Sequence, residues 1–322
     1  MRSTSFGLPI ISVGNLSVGG TGKSPMVEYL VELLKDKYEL ATLSRGYMRK
    51  TTGYALAQAN TTALEIGDEP MQFHLKFPDI AVAVGEERIF AIPQLLHDRP
   101  ETSVIILDDA FQHRAIKAGL DILLTDYNNL FVDDFYLPTG DLRDLKSSYK
   151  RATVIVVTKC KSELPDVERR EIIDQIRPLK HQEIYFTTLQ YGQCYHLLTK
   201  AGFNLNNATQ ILLTTGIANP ASLKKLLENH DIEYVMARYP DHHIFTIDDL
   251  KDIERRFEAM DAKDKIILTT EKDAVRLSKF GNELQGLPVY VIPIRHHFLY
   301  GEKEKFNSKI ESFIKNFKIN TQ

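Results

Sequence analysis

The sequence is short of cysteine, of long apolar runs and of positive charge, and each shortage closes off a class of protein. Its two cysteines, Cys160 and Cys194, form no metal-ligand spacing and fit a reducing compartment. No apolar stretch approaches the roughly twenty residues of a membrane-crossing helix, and no signal peptide is recognisable, so the chain is expected to be cytoplasmic. Lysine and arginine number 40 against 43 acids, a formal net charge of −3. No global basic excess is left for binding nucleic acid. Internal repeats and low-complexity segments are absent as well. What is there is the 43% hydrophobic and 26% charged composition of a globular protein, and its 322 residues suit two domains or one large α/β unit.

Ser17-Val18-Gly19-Gly20-Thr21-Gly22-Lys23-Ser24 follows the apolar run Leu8 to Val13, which reads as a buried strand. It precedes Met26 to Leu34, where Met26, Val27, Leu30, Leu33 and Leu34 recur at helical spacing. Strand, glycine-rich turn, Lys-Ser and helix make a phosphate-binding loop. Glycines let backbone N–H groups fold around phosphate oxygens, and the helix N-terminus adds a positive dipole end. Lys23 reaches the β and γ phosphates, and the Ser24 hydroxyl is placed to ligate Mg2+. Ser17 stands where the usual pattern opens with glycine, yet the Gly-Lys-Ser ending favours a nucleoside triphosphate over an ordinary strand-to-helix turn.

Leu40 to Leu43 predicts a second strand, running into Ser44-Arg45-Gly46-Tyr47. The basic residues Arg45, Arg49 and Lys50 there make either a solvated loop or an anion clamp at the carboxyl edge of a sheet. The acids of Gly67-Asp68-Glu69-Pro70 open the helical stretch Met71 to Lys76, where capping is the simplest role for them. Val104-Ile105-Ile106-Leu107-Asp108-Asp109 is the clearest second signal, a buried strand ending in acids that hold Mg2+ directly or through water. Phe111-Gln112-His113-Arg114 lies beside the same strand end. Asp121 to Thr125 and Val154 to Val157 read as further central strands. Thr158-Lys159-Cys160-Lys161 resembles the guanine-reading signature of GTPases, but Lys161 occupies the place of its aspartate, which disfavours GTP.

Ile184 to Leu189 and Tyr195 to Leu198 flank Tyr191-Gly192-Gln193 in a hairpin-like pattern. A second alternation follows, with strands at Ile211 to Thr215, Glu233 to Met236 and Ile266 to Thr269, Val289 to Ile292 as the last strand, and Phe306 to Phe317 as a closing helix. The fold class expected is α/β: a P-loop NTPase-like, mostly parallel sheet over residues 1–185, a two-stranded connector at 186–200, and a smaller α/β domain over 201–322. In the smaller domain, Asp241-His242-His243 reads as a metal site, as an orienting or general-base histidine, or as a helix-capping loop.

Taken in order, Gly-Asn-Leu-Ser-Val-Gly-Gly-Thr-Gly-Lys-Ser-Pro, Ser-Arg-Gly-Tyr, Gly-Asp-Glu-Pro, Leu-Asp-Asp-Ala-Phe-Gln-His-Arg, Leu-Pro-Thr-Gly-Asp-Leu-Arg, Asp-His-His and Thr-Thr-Glu-Lys-Asp-Ala resemble the tetraacyldisaccharide 4'-kinase family of lipid A biosynthesis, over about Ile11 to Pro293. The resemblance implies transfer of the ATP γ-phosphoryl group to the 4'-hydroxyl of a tetraacylated glucosamine disaccharide phosphate. By it, Ser17, Val18, Gly19, Gly20, Thr21, Gly22, Lys23 and Ser24 hold ATP, while Ser24, Asp108 and Asp109 hold Mg2+. Asp68 and His242 form a catalytic dyad in which Asp68 takes the hydroxyl proton and His242 orients it, reversing the capping role read from the residues alone. Arg45 and Arg49 are assigned the substrate's anomeric phosphate. Two positions depart from the family: Asp144, a further metal candidate, replaces a common glutamate, and Ala110 a common glycine. Family members usually begin with an apolar helix, where this chain has Met1 to Gly7, so either the start is truncated or membrane contact comes from elsewhere. The implied partners are the lipid A precursor and the cytoplasmic face of the inner membrane, with no obligate protein partner. A P-loop ATPase switch or metal-insertion chaperone, and a kinase of a soluble metabolite, are the rival readings.

Overall fold

The computed structural model describes residues 3–217, 219–241 and 243–318. The first unit opens with β1 (Ile10–Asn15), α1 (Lys23–Leu34), β2 (Leu40–Ser44), β3 (Ala55–Leu56), α2 (Ala63–Ile66), α3 (Asp68–Lys76), β4 (Ala81–Val84) and α4 (Arg88–Asp98). It continues with β5 (Val104–Asp108), β6 (Leu120–Asp126), β7 (Val154–Thr158), α5 (Asp166–Ile176) and β8 (Glu183–Tyr191). The second unit holds β9 (Cys194–His196), β10 (Gly202–Phe203), β11 (Gln210–Thr215), α6 (Ala221–Asn229), β12 (Tyr234–Arg238), α7 (Ile247–Glu258), β13 (Lys265–Thr270), α8 (Glu271–Leu277) and β14 (Val289–Ile292). Then come β15 (Ile294–Phe298) and α9 (Lys303–Lys315).

The nine strands of the first sheet lie in the order β15-β8-β7-β6-β1-β5-β2-β4-β3. Pairing is parallel from β8 through to β4, and β3 is antiparallel to β4. Both faces of such a sheet are covered, which is why β1, β2, β5 and β7 are buried at every position and read as continuous apolar runs. The chain runs from β1 to β2 on one side and later to β6 on the other. The strand order thus reverses at β1, the place where open α/β sheets bind ligands beyond their carboxyl ends. The second sheet has the order β10-β9-β14-β13-β11-β12, with parallel pairing from β14 to β12. The mostly parallel α/β class is borne out.

The division into units differs from the one expected. Tyr191–Ile294 is one compact unit, and the chain before and after it forms the other. The closing helix does not belong to the smaller domain: α9 puts Phe306 against Tyr29 of α1, Tyr185 of β8 and Phe298 of β15, with ring centroids 5.8, 5.3 and 4.6 Å apart. Nor do the strands around Gly192 pair with each other. β8 extends the first sheet beside β7, whereas β9 pairs with β10 and β14 in the second. The two crossings between units are therefore β8 on the way out and β15 on the way back, a strand the periodicity does not show.

Phe306 is fully buried in this aromatic cluster. Phe306→Ala should lower the stability of the first unit by about 3–5 kcal/mol in urea unfolding followed by circular dichroism. A loss below about 1 kcal/mol would place α9 outside its core.

Candidate active site

The phosphate-binding loop joins β1 to α1 and is held from three sides. Gly19 and Gly22 have φ of 95° and 87°, a region that residues with a Cβ rarely adopt. Asn15, the last residue of β1, donates from Nδ2 to Thr21 Oγ1 at 2.9 Å, and Thr158 of β7 donates from Oγ1 to the Thr21 carbonyl at 2.8 Å. From the β6–β7 connection, the Asp141 carbonyl accepts from Val18 N at 2.7 Å, and Asp134 accepts from Ser17 Oγ at 3.3 Å. That hydroxyl contact gives Ser17 a use that the usual glycine lacks.

Around Lys23 the acids sort themselves by environment. Asp109 lies 3.8 Å from Lys23 Nζ and accepts from Arg143. Burial works to raise its pKa, but Lys23 and Arg143 together outweigh burial and hold it below the usual range. Asp108 is 2% exposed, accepts from Ser44 Oγ at 3.2 Å, and leaves Oδ1 buried without a partner. Desolvation, with the charges of Glu69 and Asp109 behind it, pushes its pKa up to about 7. A buried acceptor oxygen facing neighbouring negative charge suits a divalent cation. The oxygens of Asp108 and Ser24 are of the kind Mg2+ takes.

Three residues to which the sequence assigned no place in the site complete the arrangement. Glu69 Oε1 accepts from Ser24 Oγ at 3.2 Å. Arg88, 2% exposed, donates to the carbonyls of Asp108 and Glu86, each at 3.2 Å. Asn15 also accepts from Gln112 on its carbonyl and from Arg143 on Oδ1, at 2.6 and 2.7 Å. Glu69, beside Asp68, and Asn15, just before the glycine-rich turn, lie within the quoted motifs, whereas Arg88 carries no sequence signal.

Asp68 is the first residue of α3, half-buried, immediately after Gly67 at φ 93°. α3 runs alongside α1: Gln72 and Lys76 both donate to Glu28, at 2.7 and 2.6 Å. Together with the Glu69–Ser24 contact, these bonds bring the turn that carries Asp68 to the phosphate-binding loop. His242 lies outside the described residues. Its neighbour His243 donates from Nε2 to Asp249 Oδ2 at 2.9 Å and stacks on Tyr239 at 4.8 Å, and Asp249 is itself part of the Thr246 capping box that opens α7. Asp144 is engaged with Leu145 N, Ser148 Oγ and Arg151, at 2.7, 3.1 and 3.5 Å, and it is the adjacent Arg143 that reaches the acidic pair. Arg45 is exposed and makes no ion pair among the described residues, whereas Arg49 is tied to Glu86 at 2.5 Å and to the Gly53 carbonyl. His113 has its pKa lowered by burial and by Arg88 and Arg45, which keeps the ring neutral at neutral pH.

Asp108 holds its proton in the folded protein from about its ordinary value of 3.8 up to about 7, while the unfolded chain has already lost it. Its contribution to stability is therefore lost as pH rises through that window. Urea unfolding without divalent cation should show falling stability from about pH 4 to about pH 7, and Asp108→Asn should flatten the slope. An unchanged slope in the variant would mean that Asp108 is not the group titrating.

The family model described as Tetraacyldisaccharide-1-P 4'-kinase matches residues 1–315. A tetraacyldisaccharide 4'-kinase of Bacteroides thetaiotaomicron is 41% identical, the match covering 98% of this chain and 87% of the relative. One of Flavobacterium johnsoniae is 44% identical over 98% and 90%. Among solved structures, LpxK from Aquifex aeolicus in complex with ATP superposes with a TM-score of 0.76 at 25% identity, covering 98% of this chain and 91% of that one. With a phosphate-binding loop, an acid-tipped strand and a near full-length match of this kind, the chain belongs to the tetraacyldisaccharide 4'-kinase family.

Proposed function

We propose that this chain transfers the γ-phosphoryl group of ATP to the 4'-hydroxyl of a tetraacylated glucosamine disaccharide 1-phosphate, with Asp68 as the base. The single observation that carries this reading is the packing of the Asp68 turn against α1 through Glu69 and Ser24. A P-loop switch has no use for a carboxylate at that place. Asp68 takes the hydroxyl proton as the sugar oxygen forms its bond to the γ-phosphorus, and the bond to the bridging oxygen breaks to release ADP. Lys23 and the backbone N–H groups at the start of α1 bind the phosphates and offset the charge on the transferring group. Mg2+, held by Ser24 and Asp108, supplies further charge neutralisation when bound. Asp109 keeps the Lys23 ammonium near the loop, and the exposed Arg45 is a cation available to a substrate phosphate. His242 is assigned the orienting role at Asp68.

The same reading places the protein at the surface of the inner membrane. Among the described residues no helix is long and apolar enough to cross a bilayer. The β6–β7 connection, which also holds Val18, exposes Phe135, Tyr136, Leu137 and Leu145, at 67, 46, 51 and 59%. Lys146 follows directly and lies over the Phe135 ring. Apolar side chains beside lysine suit insertion at an anionic interface, where an acylated acceptor would be met.

Labelled ATP incubated with the lipid A disaccharide precursor, with products resolved by mass, tests the reaction. Lys23→Ala should cut turnover by roughly 10²–10³-fold, and Asp68→Asn by roughly 10²–10⁴-fold with the KM for ATP retained. Wild-type turnover in Lys23→Ala would defeat the reading, and a lost ATP affinity in Asp68→Asn would make that carboxylate part of the nucleotide site. Replacing Phe135, Leu137 and Leu145 together by serine should weaken binding to anionic vesicles and raise the KM for the lipid acceptor alone. Unchanged vesicle binding would remove this loop from the interface.

A further inference from the structure

We propose that His296 is a positioning residue of the phosphate-binding loop: its imidazole, carried by the strand on which the chain re-enters the first unit, fixes the Gly22–Lys23 peptide so that the Lys23 N–H faces the nucleotide. The proposal rests on the reading of this loop as the ATP site. His296 is buried, two residues beyond the crossing at Ile294. Its Nε2 lies 2.9 Å from the Gly22 carbonyl oxygen and its Nδ1 lies 2.9 Å from Thr187 Oγ1 of β8. The carbonyl can only accept, so Nε2 carries the proton, and Nδ1 accepts from the threonine hydroxyl. Thr187 is fully buried, so no solvent competes with its hydroxyl for Nδ1. Burial also lowers the imidazole pKa to about 4, which keeps the ring neutral under working conditions.

The consequence for the loop comes from peptide planarity. The Gly22 carbonyl and the Lys23 N–H belong to one trans peptide unit and point in opposite directions. Holding the oxygen therefore aims the hydrogen. The oxygen already accepts from Met26 N at 3.1 Å, the first bond of α1, which aligns the carbonyl with the helix axis. His296 occupies its second lone pair and restrains the remaining rotation. Gly22 has its φ at 87°, a conformation with no side chain of its own to hold it, and a Cβ placed there would meet the His296 ring at 3.1 Å. The ring is thus packed under the residue whose peptide it orients.

The test compares His296→Phe, which keeps bulk and removes both hydrogen bonds, with His296→Gln, whose amide can again donate to the Gly22 oxygen. In the full chain, His296→Phe should raise the KM for ATP roughly tenfold, the worth of one ordinary hydrogen bond, and change kcat less than threefold. His296→Gln should return the KM to within about threefold of wild type. A wild-type KM in folded His296→Phe, or a reduced active fraction with unaltered KM, overturns the proposal. A folded His296→Gln that fails to recover does so too. Independently of any variant, nitrogen NMR of histidine-labelled wild-type protein should show His296 as the neutral Nε2–H tautomer, with a resonance that shifts on adding ATP and Mg2+. Indifference to nucleotide overturns the proposal. Wild-type protein that binds no ATP at all would overturn the function reading and this one together.

Discussion

The rest of the first unit depends on the meeting of Lys23 with Asp108 and Asp109, a single ammonium beside two adjacent carboxylates in a largely buried place. One cation cannot satisfy both acids. Asp109 takes the lysine and Arg143, and Asp108 is left with a serine hydroxyl and an unpartnered oxygen. Such a site is unbalanced by itself and comes into balance with a divalent cation and an anionic ligand, which is the charge logic of a metal–triphosphate site. The switch in strand order at β1 is what makes this meeting possible, because it puts the ends of β1 and β5 side by side.

Around that centre the molecule spends its polar side chains on holding backbone. Asn15 gathers Thr21, Gln112 and Arg143; Thr158 and Asp134 hold the loop; Arg88 grips the carbonyl beside the buried acid. In the second unit Asp273 does the same, accepting from Thr215 Oγ1, Gly216 N and Thr270 Oγ1 at 3.0, 3.0 and 2.8 Å. A phosphate cradle made of peptide groups needs this support, since small rotations of a peptide redirect its N–H.

Some features escaped a linear reading for identifiable reasons. β15 is Ile294-Arg295-His296-His297-Phe298, and one of its inward residues is a histidine, so hydrophobic alternation does not reveal it. Gly192 between two β-rich runs imitates a hairpin, but pairing with β14 and β15, about a hundred residues on in the sequence, takes the strands into different sheets. Arg49 looks like an available cation until Glu86, distant in the chain, neutralises it. Asp144 looks like a metal ligand until Ser148 and Arg151 occupy it.

The residues alone determined what depends on short-range order: the glycine-rich turn between strand and helix, the apolar strand ending in two acids, the parallel α/β class and, through motif order, the kinase family. Spacing along the chain suffices there because each feature is built within one strand–turn–helix unit. Only the tertiary structure decided which of two neighbouring acids stays charged, which arginine is left unpaired, and that a strand near the end of the chain puts an imidazole under the loop near its start. Those outcomes depend on burial and on partners that sequence distance does not encode.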